Sequence, residues 1–225
     1  MTLCAAETSF SLSVNVPAVY TAAHFFCKVP LIKNIAVHGV PCSLCGDLTV
    51  SVSGKTPSGS FLDFAVTKKD FVGTLYNFSN DIVLKQNPED FVYYKPKNIT
   101  YTTDYYPIYS MDTPQRGEFF FEYEDGSPYM YGTFMGGDDH ITHVHTDVNN
   151  GRKLVIFKDS YGNAFSSFVL CSFEDVYVID MRYFKLNAIE FIQKYNVTDV
   201  AFVNNVFHTD TQSTVDYYRS FLTQW

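Results

Sequence analysis

The chain has 225 residues, 46% of them hydrophobic and 17% aromatic, with 21 Phe and 17 Tyr against a single Trp. That composition excludes a disordered polypeptide and favours a packed core built from many strands. Its 16 basic and 24 acidic residues give a formal net charge of −8, which argues against non-specific binding to nucleic acid or anionic membrane, since both need basic patches.

In chain order, Met1-Thr2-Leu3 has no basic residue before its short apolar stretch, so the N-terminus does not read as a signal peptide. No apolar run reaches the ~20 residues of a membrane span. Residues 17–29, behind Pro17, show helix-compatible spacing of Ala, Phe and Tyr. Cys42 and Cys45 form a lone C-x-x-C between Pro41 and Gly46-Asp47 and read as a turn; a zinc or redox site would need further ligands or a helix start. With Cys4, Cys27 and Cys171 the cysteine count is odd, which does not suggest a disulfide framework. Residues 48–54 alternate as a half-buried strand, 54–60 form a loop, and strands are expected near 91–94 and 99–103. Asp125-Gly126-Ser127-Pro128 is strong turn chemistry.

The C-terminal third is clearer. Residues 152–157 and 175–180 read as buried strands, 163–172 as a helix with Phe165, Phe168, Val169 and Cys171 or Ser172 inward, and 186–196 as a helix carrying Leu186, Ile189, Ile192 and Gln193. Asn196 suits that helix's end, and 199–206 reads as a third strand. Strand–helix–strand–helix–strand with short links predicts two βαβ units and a parallel sheet. With neither an internal repeat nor a clear linker, 1–225 reads as one domain, irregular over 1–60 and best defined over 150–206.

In open parallel sheets, ligands gather beyond the carboxyl ends of the strands. Two segments fall there: KDSYGNAF (158–165) and VNNVFH (203–208). The first places Ser160, beside Asp159, between a strand and a helix, where a nucleophile and backbone oxyanion donors can meet. Asn163 could add a side-chain N–H. Ser160 as an ordinary helix N-cap, and Asn204-Asn205 as an ordinary turn, are the competing readings. In GGDDHITHVH (136–145), His143 and His145 share one face of any strand, with Asp138 and Asp139 nearby, so metal binding or an exposed edge strand are both open.

KLVIFKDSYGNAF, VYVIDMRYF and IEFIQKYNVTDVAFVNNV resemble the DHHW family of bacterial proteins, relatives of the SGNH-type domains of alginate O-acetyltransferases. Segments 70–81, 91–96 and 134–153 also fit, so the resemblance spans roughly residues 65–206. It implies a three-layer α/β/α fold with a mainly parallel central sheet. It further implies a cofactor-free esterase or O-acetyltransferase for acylated carbohydrate or polysaccharide of the cell envelope, outside the cytoplasmic membrane. Ser160 matches the family's nucleophile, with its own N–H in the oxyanion hole and Gly136 or Asn163 assisting.

The family's base lies in an Asp-His-His-Trp motif. The positions aligned with it, 11–14, read Ser-Leu-Ser-Val, and the only Trp is Trp225. A Ser without a base is a poor nucleophile. Either the N-terminal part is altered or truncated relative to a working ancestor, or another histidine substitutes. His208 comes first on chain position, then His140 and His145, with His24, His38 and His143 also available. The alternative is a non-catalytic relative whose tyrosines (Tyr93, Tyr94, Tyr105, Tyr106, Tyr129, Tyr131) stack on sugar rings, with strand packing as the competing reading for most of them.

Overall fold

The computed structural model describes residues 65–97, 99–205 and 211–224, together with the backbone of four short strands nearer the N-terminus. These strands are β1 (Thr8–Ser13), β2 (Phe26–Cys27), β3 (Ile35–Ala36) and β4 (Thr49–Gly54). β4 is the strand expected at 48–54, and it pairs antiparallel with β1 and β3. Phe26–Cys27 is extended, not helical as the spacing over 17–29 suggested, because it pairs along a sheet edge. The rest of that stretch, the C-x-x-C, His24, His38 and His208 lie outside the described residues.

β5 (Ala65–Phe71) and β6 (Glu89–Tyr94) form an antiparallel ribbon joined by α1 (Leu75–Ser79) and α2 (Ile82–Gln86). Then come β7 (Tyr101–Pro107), β8 (Gln115–Gly117), β9 (His140–Thr146), β10 (Lys153–Lys158), α3 (Gly162–Val169), β11 (Asp175–Asp180), α4 (Ala188–Lys194), β12 (Asp199–Val203) and α5 (Gln212–Ser220). The central sheet runs β2-β12-β10-β11-β9-β7-β8.

Among the described residues, the parallel pairings of that sheet are β10 with β11 and β10 with β12, and its other pairings are antiparallel. The expectation of a mainly parallel sheet is therefore corrected to a mixed one. The βαβ signal was sound for β10–β12, where apolar runs are covered on both faces. β9, with its alternating His-Ile-Thr-His-Val-His-Thr, is paired on both sides, by β11 and β7, so the expected exposed edge strand is corrected to an interior antiparallel one.

One face of the sheet packs Val144, Leu154, Ile156, Val176 and Val178 against α3, the β5–β6 ribbon and the aromatic loop Phe119, Phe120 and Phe134. The other packs Val155, Phe157, Tyr177 and Ile179 against Ala188 and Phe191 of α4 and Tyr218 and Phe221 at α5. Burying one Phe or Leu side chain contributes about 1.5–3 kcal/mol, so these two layers hold the sheet edge in place.

The helices differ in detail from their sequence pattern. α3 turns Gly162, Asn163, Ser166 and Ser167 inward, while Phe168, expected inside, is 46% exposed. Close approach selects the small residues: a Cβ on Gly162 would stand 2.5 Å from Lys158 Cβ. α4 is capped by Asn187, whose Oδ1 accepts from the Ile189 and Glu190 N–H groups. Ala188 and Phe191 face inward there, whereas Ile189 is exposed and Gln193 points to solvent. Asn196 ends the helix in the left-handed region (φ 51°), with Val197 N–H donating to Ile192 O at 3.0 Å.

Candidate active site

β10 and β11 finish in register, Lys158 opposite Asp180, and each then opens a turn held by an aspartate. Asp159 Oδ1 accepts from Tyr161 N–H at 2.9 Å, and Asp180 Oδ1 accepts from Arg182 N–H at 3.0 Å. Asp159 is almost fully buried, and its Oδ2 accepts from Asn205 N–H at 2.8 Å, tying the turn after β10 to the end of β12.

Ser160 lies between these anchored groups, half-buried at the carboxyl edge. It is not an N-cap: α3 starts at Gly162 after Tyr161, and no side chain caps it. Asp159 satisfies the local N–H instead. Ser160 O accepts from Tyr131 Oη at 2.8 Å, and burial pushes the Tyr131 phenol up to about 12, so it stays a donor.

Around this turn lies a charged network. Lys158, 2% exposed, directs Nζ to Asp138 Oδ1 at 2.6 Å and to Asp180 Oδ2 at 3.3 Å. Arg182 donates from Nη2 to Asp180 Oδ2 at 2.7 Å and to Asp138 Oδ2 at 3.1 Å, and from Nε to Asp180 Oδ1 at 2.8 Å. Asn163, 4% exposed, donates from Nδ2 to Asp138 Oδ1 at 2.9 Å, while its Oδ1 is buried without a partner. Burial pushes the Asp138 pKa upward, but the Lys158 ammonium, the Asn163 amide and Arg182 outweigh it and hold the carboxyl below its ordinary value. None of Lys158, Asp180 or Arg182 stood out from the sequence as a site residue. The available signal was that Lys158 and Asp180 each close an apolar strand at the carboxyl edge.

Gly136 takes a left-handed φ of 75°, and its N–H donates to Gly132 O at 3.0 Å. That hydrogen bond occupies the N–H expected to assist an oxyanion. Asn204 and Asn205 behave as the ordinary-turn reading had it: Asn204 Oδ1 accepts from Tyr218 Oη at 2.6 Å, fastening α5, and Asn205 N–H serves Asp159.

The histidines of β9 divide between the two ends of the sheet. His143 and His145 share a face, and both rings bond Asp175 Oδ1, from Nε2 at 2.8 Å and Nδ1 at 2.9 Å. Asp175 opens β11, the end opposite Ser160, five residues or about 16 Å from Asp180. No group of metal-binding side chains occurs among the described residues. Burial would raise the Asp175 pKa, but hydrogen bonds from His143, Lys153 and His145 hold it well below the usual carboxylate range. His140 starts β9 at the same edge as Lys158 and Asp180. Its Nδ1 is 3.4 Å from Asp139 Oδ1, and its Nε2 is buried and unpartnered. Burial lowers its pKa, opposed by Asp139 and aided by the Lys158 charge.

Of the tyrosines expected on the surface, Tyr93 is buried, Tyr94, Tyr105, Tyr106 and Tyr131 are half-buried, and only Tyr129 is well exposed. Tyr93 packs on Phe91, Phe120 and Phe134. Strand packing, the competing reading of these rings in the sequence, holds for Tyr93 and draws in the half-buried ones. No helix among the described residues is long and apolar enough to cross a membrane.

The DHHW protein family model matches residues 68–179. A solved DHHW family protein from Eubacterium siraeum is similar at 37% identity and a TM-score of 0.62, over 69% of this chain and 52% of that one. This chain thus spans about half the length of that relative. Bacillus cereus PatB1, solved with a sulfonyl adduct, is 19% identical with a TM-score of 0.49, over 65% of this chain and 48% of its own. No curated protein matches. Over residues 68–179 the chain is a match to the DHHW family, and its fold is shared with a solved member of that family.

Proposed function

We propose that this chain is a DHHW family member and an SGNH-like acyl-ester hydrolase or O-acetyltransferase relative, acting on acylated carbohydrate of the cell envelope with Ser160 as nucleophile. The observation that carries this reading is the state of Ser160. It stands at the carboxyl edge, its hydroxyl makes no hydrogen bond among the described residues, and Asp159 has taken over the local capping. In the reaction, Ser160 Oγ attacks the acyl carbonyl and its proton passes to an imidazole. That proton then leaves with the departing alcohol, and water or a sugar hydroxyl takes the acyl group from the serine.

Among the described residues, the imidazole on the matching edge is His140. Its lowered pKa keeps it neutral, Asp139 faces Nδ1, and Nε2 is left as an acceptor. His208 is the other candidate for the base and lies outside the described residues.

The test uses a serine-reactive phosphonate and a short-chain p-nitrophenyl ester on the wild type, Ser160→Ala and His140→Gln. Labelling and turnover that vanish in Ser160→Ala support the reading, and their loss in His140→Gln assigns the base. A folded wild type that is neither labelled nor active refutes it and leaves the non-catalytic, carbohydrate-binding alternative.

A further inference from the structure

Asp138 stands in the segment before β9, yet its two oxygens meet side chains from three other places in the chain. Oδ1 accepts from Lys158 at the end of β10 and from Asn163 in the first turn of α3; Oδ2 accepts from Arg182 after β11. The carboxylate thereby ties the residues on either side of the Ser160 turn to the loop after β11.

We infer that Asp138 is a positioning residue that locks the Asn163 amide in one orientation beside Ser160. The inference rests on the reading of Ser160 as nucleophile. Were the amide turned over, its carbonyl oxygen would face the carboxylate oxygen at the 2.9 Å now spanned by a hydrogen bond. Two acceptors at that distance repel, so the charge permits only Nδ2 toward Asp138. One amide N–H is thus fixed on Asp138. The second has no acceptor among the described residues and is the group held ready for an oxyanion. Lys158 and Arg182 keep the carboxylate ionised, and Asn163, being buried, cannot exchange this bond for one to water.

Asp138→Asn is the informative variant. It keeps the shape but can present either oxygen or N–H to Asn163, so the lock is lost. Two readouts decide. The first is the side-chain amide pair of Asn163 in a proton–nitrogen spectrum, identified by its disappearance in Asn163→Ala. One of its protons should be shifted and slow to exchange in the wild type, and ordinary in Asp138→Asn. The second is the rate of Ser160 labelling by the phosphonate. Asp138→Asn should lower it roughly tenfold to a hundredfold, Asn163→Ala should do the same, and the double variant should be no slower than Asn163→Ala.

Unchanged amide signals overturn the inference. So does an Asp138→Asn effect of the same size with and without Asn163, because a merely structural role multiplies through. If Asp138→Asn does not fold, Asp138→Glu keeps the charge and should retain the shifted amide proton; an ordinary amide signal there overturns the lock. If the wild type is not labelled at all, the Ser160 reading fails and the amide signals alone decide the role of Asp138.

Discussion

Lys158 and Asp180 occupy the last paired positions of β10 and β11, and Lys158 Nζ lies 3.3 Å from Asp180 Oδ2 in a site closed to solvent. A buried ammonium is tolerated only with its charge met, and here Asp138 is its second partner at 2.6 Å.

Lys158→Ala should therefore be among the most damaging substitutions. It leaves Asp138 and Asp180 with Arg182 as their shared cation and should cost about 3–5 kcal/mol, read from a urea unfolding midpoint. Arg182→Ala, at a half-exposed side chain, should cost clearly less. Equal losses would contradict the burial argument.

Asp175 gives a pH-dependent prediction. Its folded pKa is depressed from 3.8, so its contribution is present above that value and disappears as pH falls through the lower folded one. Asp175→Asn should destabilise the protein near neutral pH, and the gap to the wild type should narrow in strong acid. A gap that is constant down to acid unfolding would show that the carboxylate's charge is not what His143, His145 and Lys153 stabilise.

His140 has the same sign for a different reason. Its pKa is lowered from 6.5 by burial, so protonation favours the unfolded chain, and stability falls as pH drops below 6.5 toward the folded value. His140→Gln should flatten this part of the stability–pH curve, followed by thermal melts at a series of pH values.

Gly162→Ala tests the approach of α3 to the sheet. Its new Cβ would lie 2.5 Å from Lys158 Cβ and 3.2 Å from Val203 O. Since β10 is hydrogen-bonded to a strand on each side, α3 must shift. We expect a loss of about 1–3 kcal/mol in denaturant titration, together with slower labelling of Ser160.

Much of this edge was legible in the sequence. Leu154–Phe157 and Val176–Ile179 are apolar runs closed by charged residues, and the place of Ser160 in the turn between β10 and α3 followed from the strand–turn–helix pattern. Other features required the tertiary structure. Phe168 looks like a core residue by spacing, but α3 sits too close to β10 for a large side chain at the contact, so serines and a glycine take that face. The contribution of Asp138 was hidden because it lies 20 residues from Lys158 and 44 from Arg182, beyond any local spacing rule. His143 and His145 were read as sharing one face. Their engagement by Asp175 depends on β11 lying between β9 and β10, an order that short connections do not suggest.

That order governs how the protein can be made. β10 pairs with β11 and β12, both of which follow it in the chain, so Leu154–Phe157 leaves the ribosome before either neighbour has emerged. This apolar strand presents two open edges until residue 180 has emerged and one until residue 203 has, the form of nascent chain that associates with its own copies or with holdase chaperones. Ser160 comes out early in that interval, and its turn gains its anchor on Asn205 only when synthesis of the sheet is nearly complete.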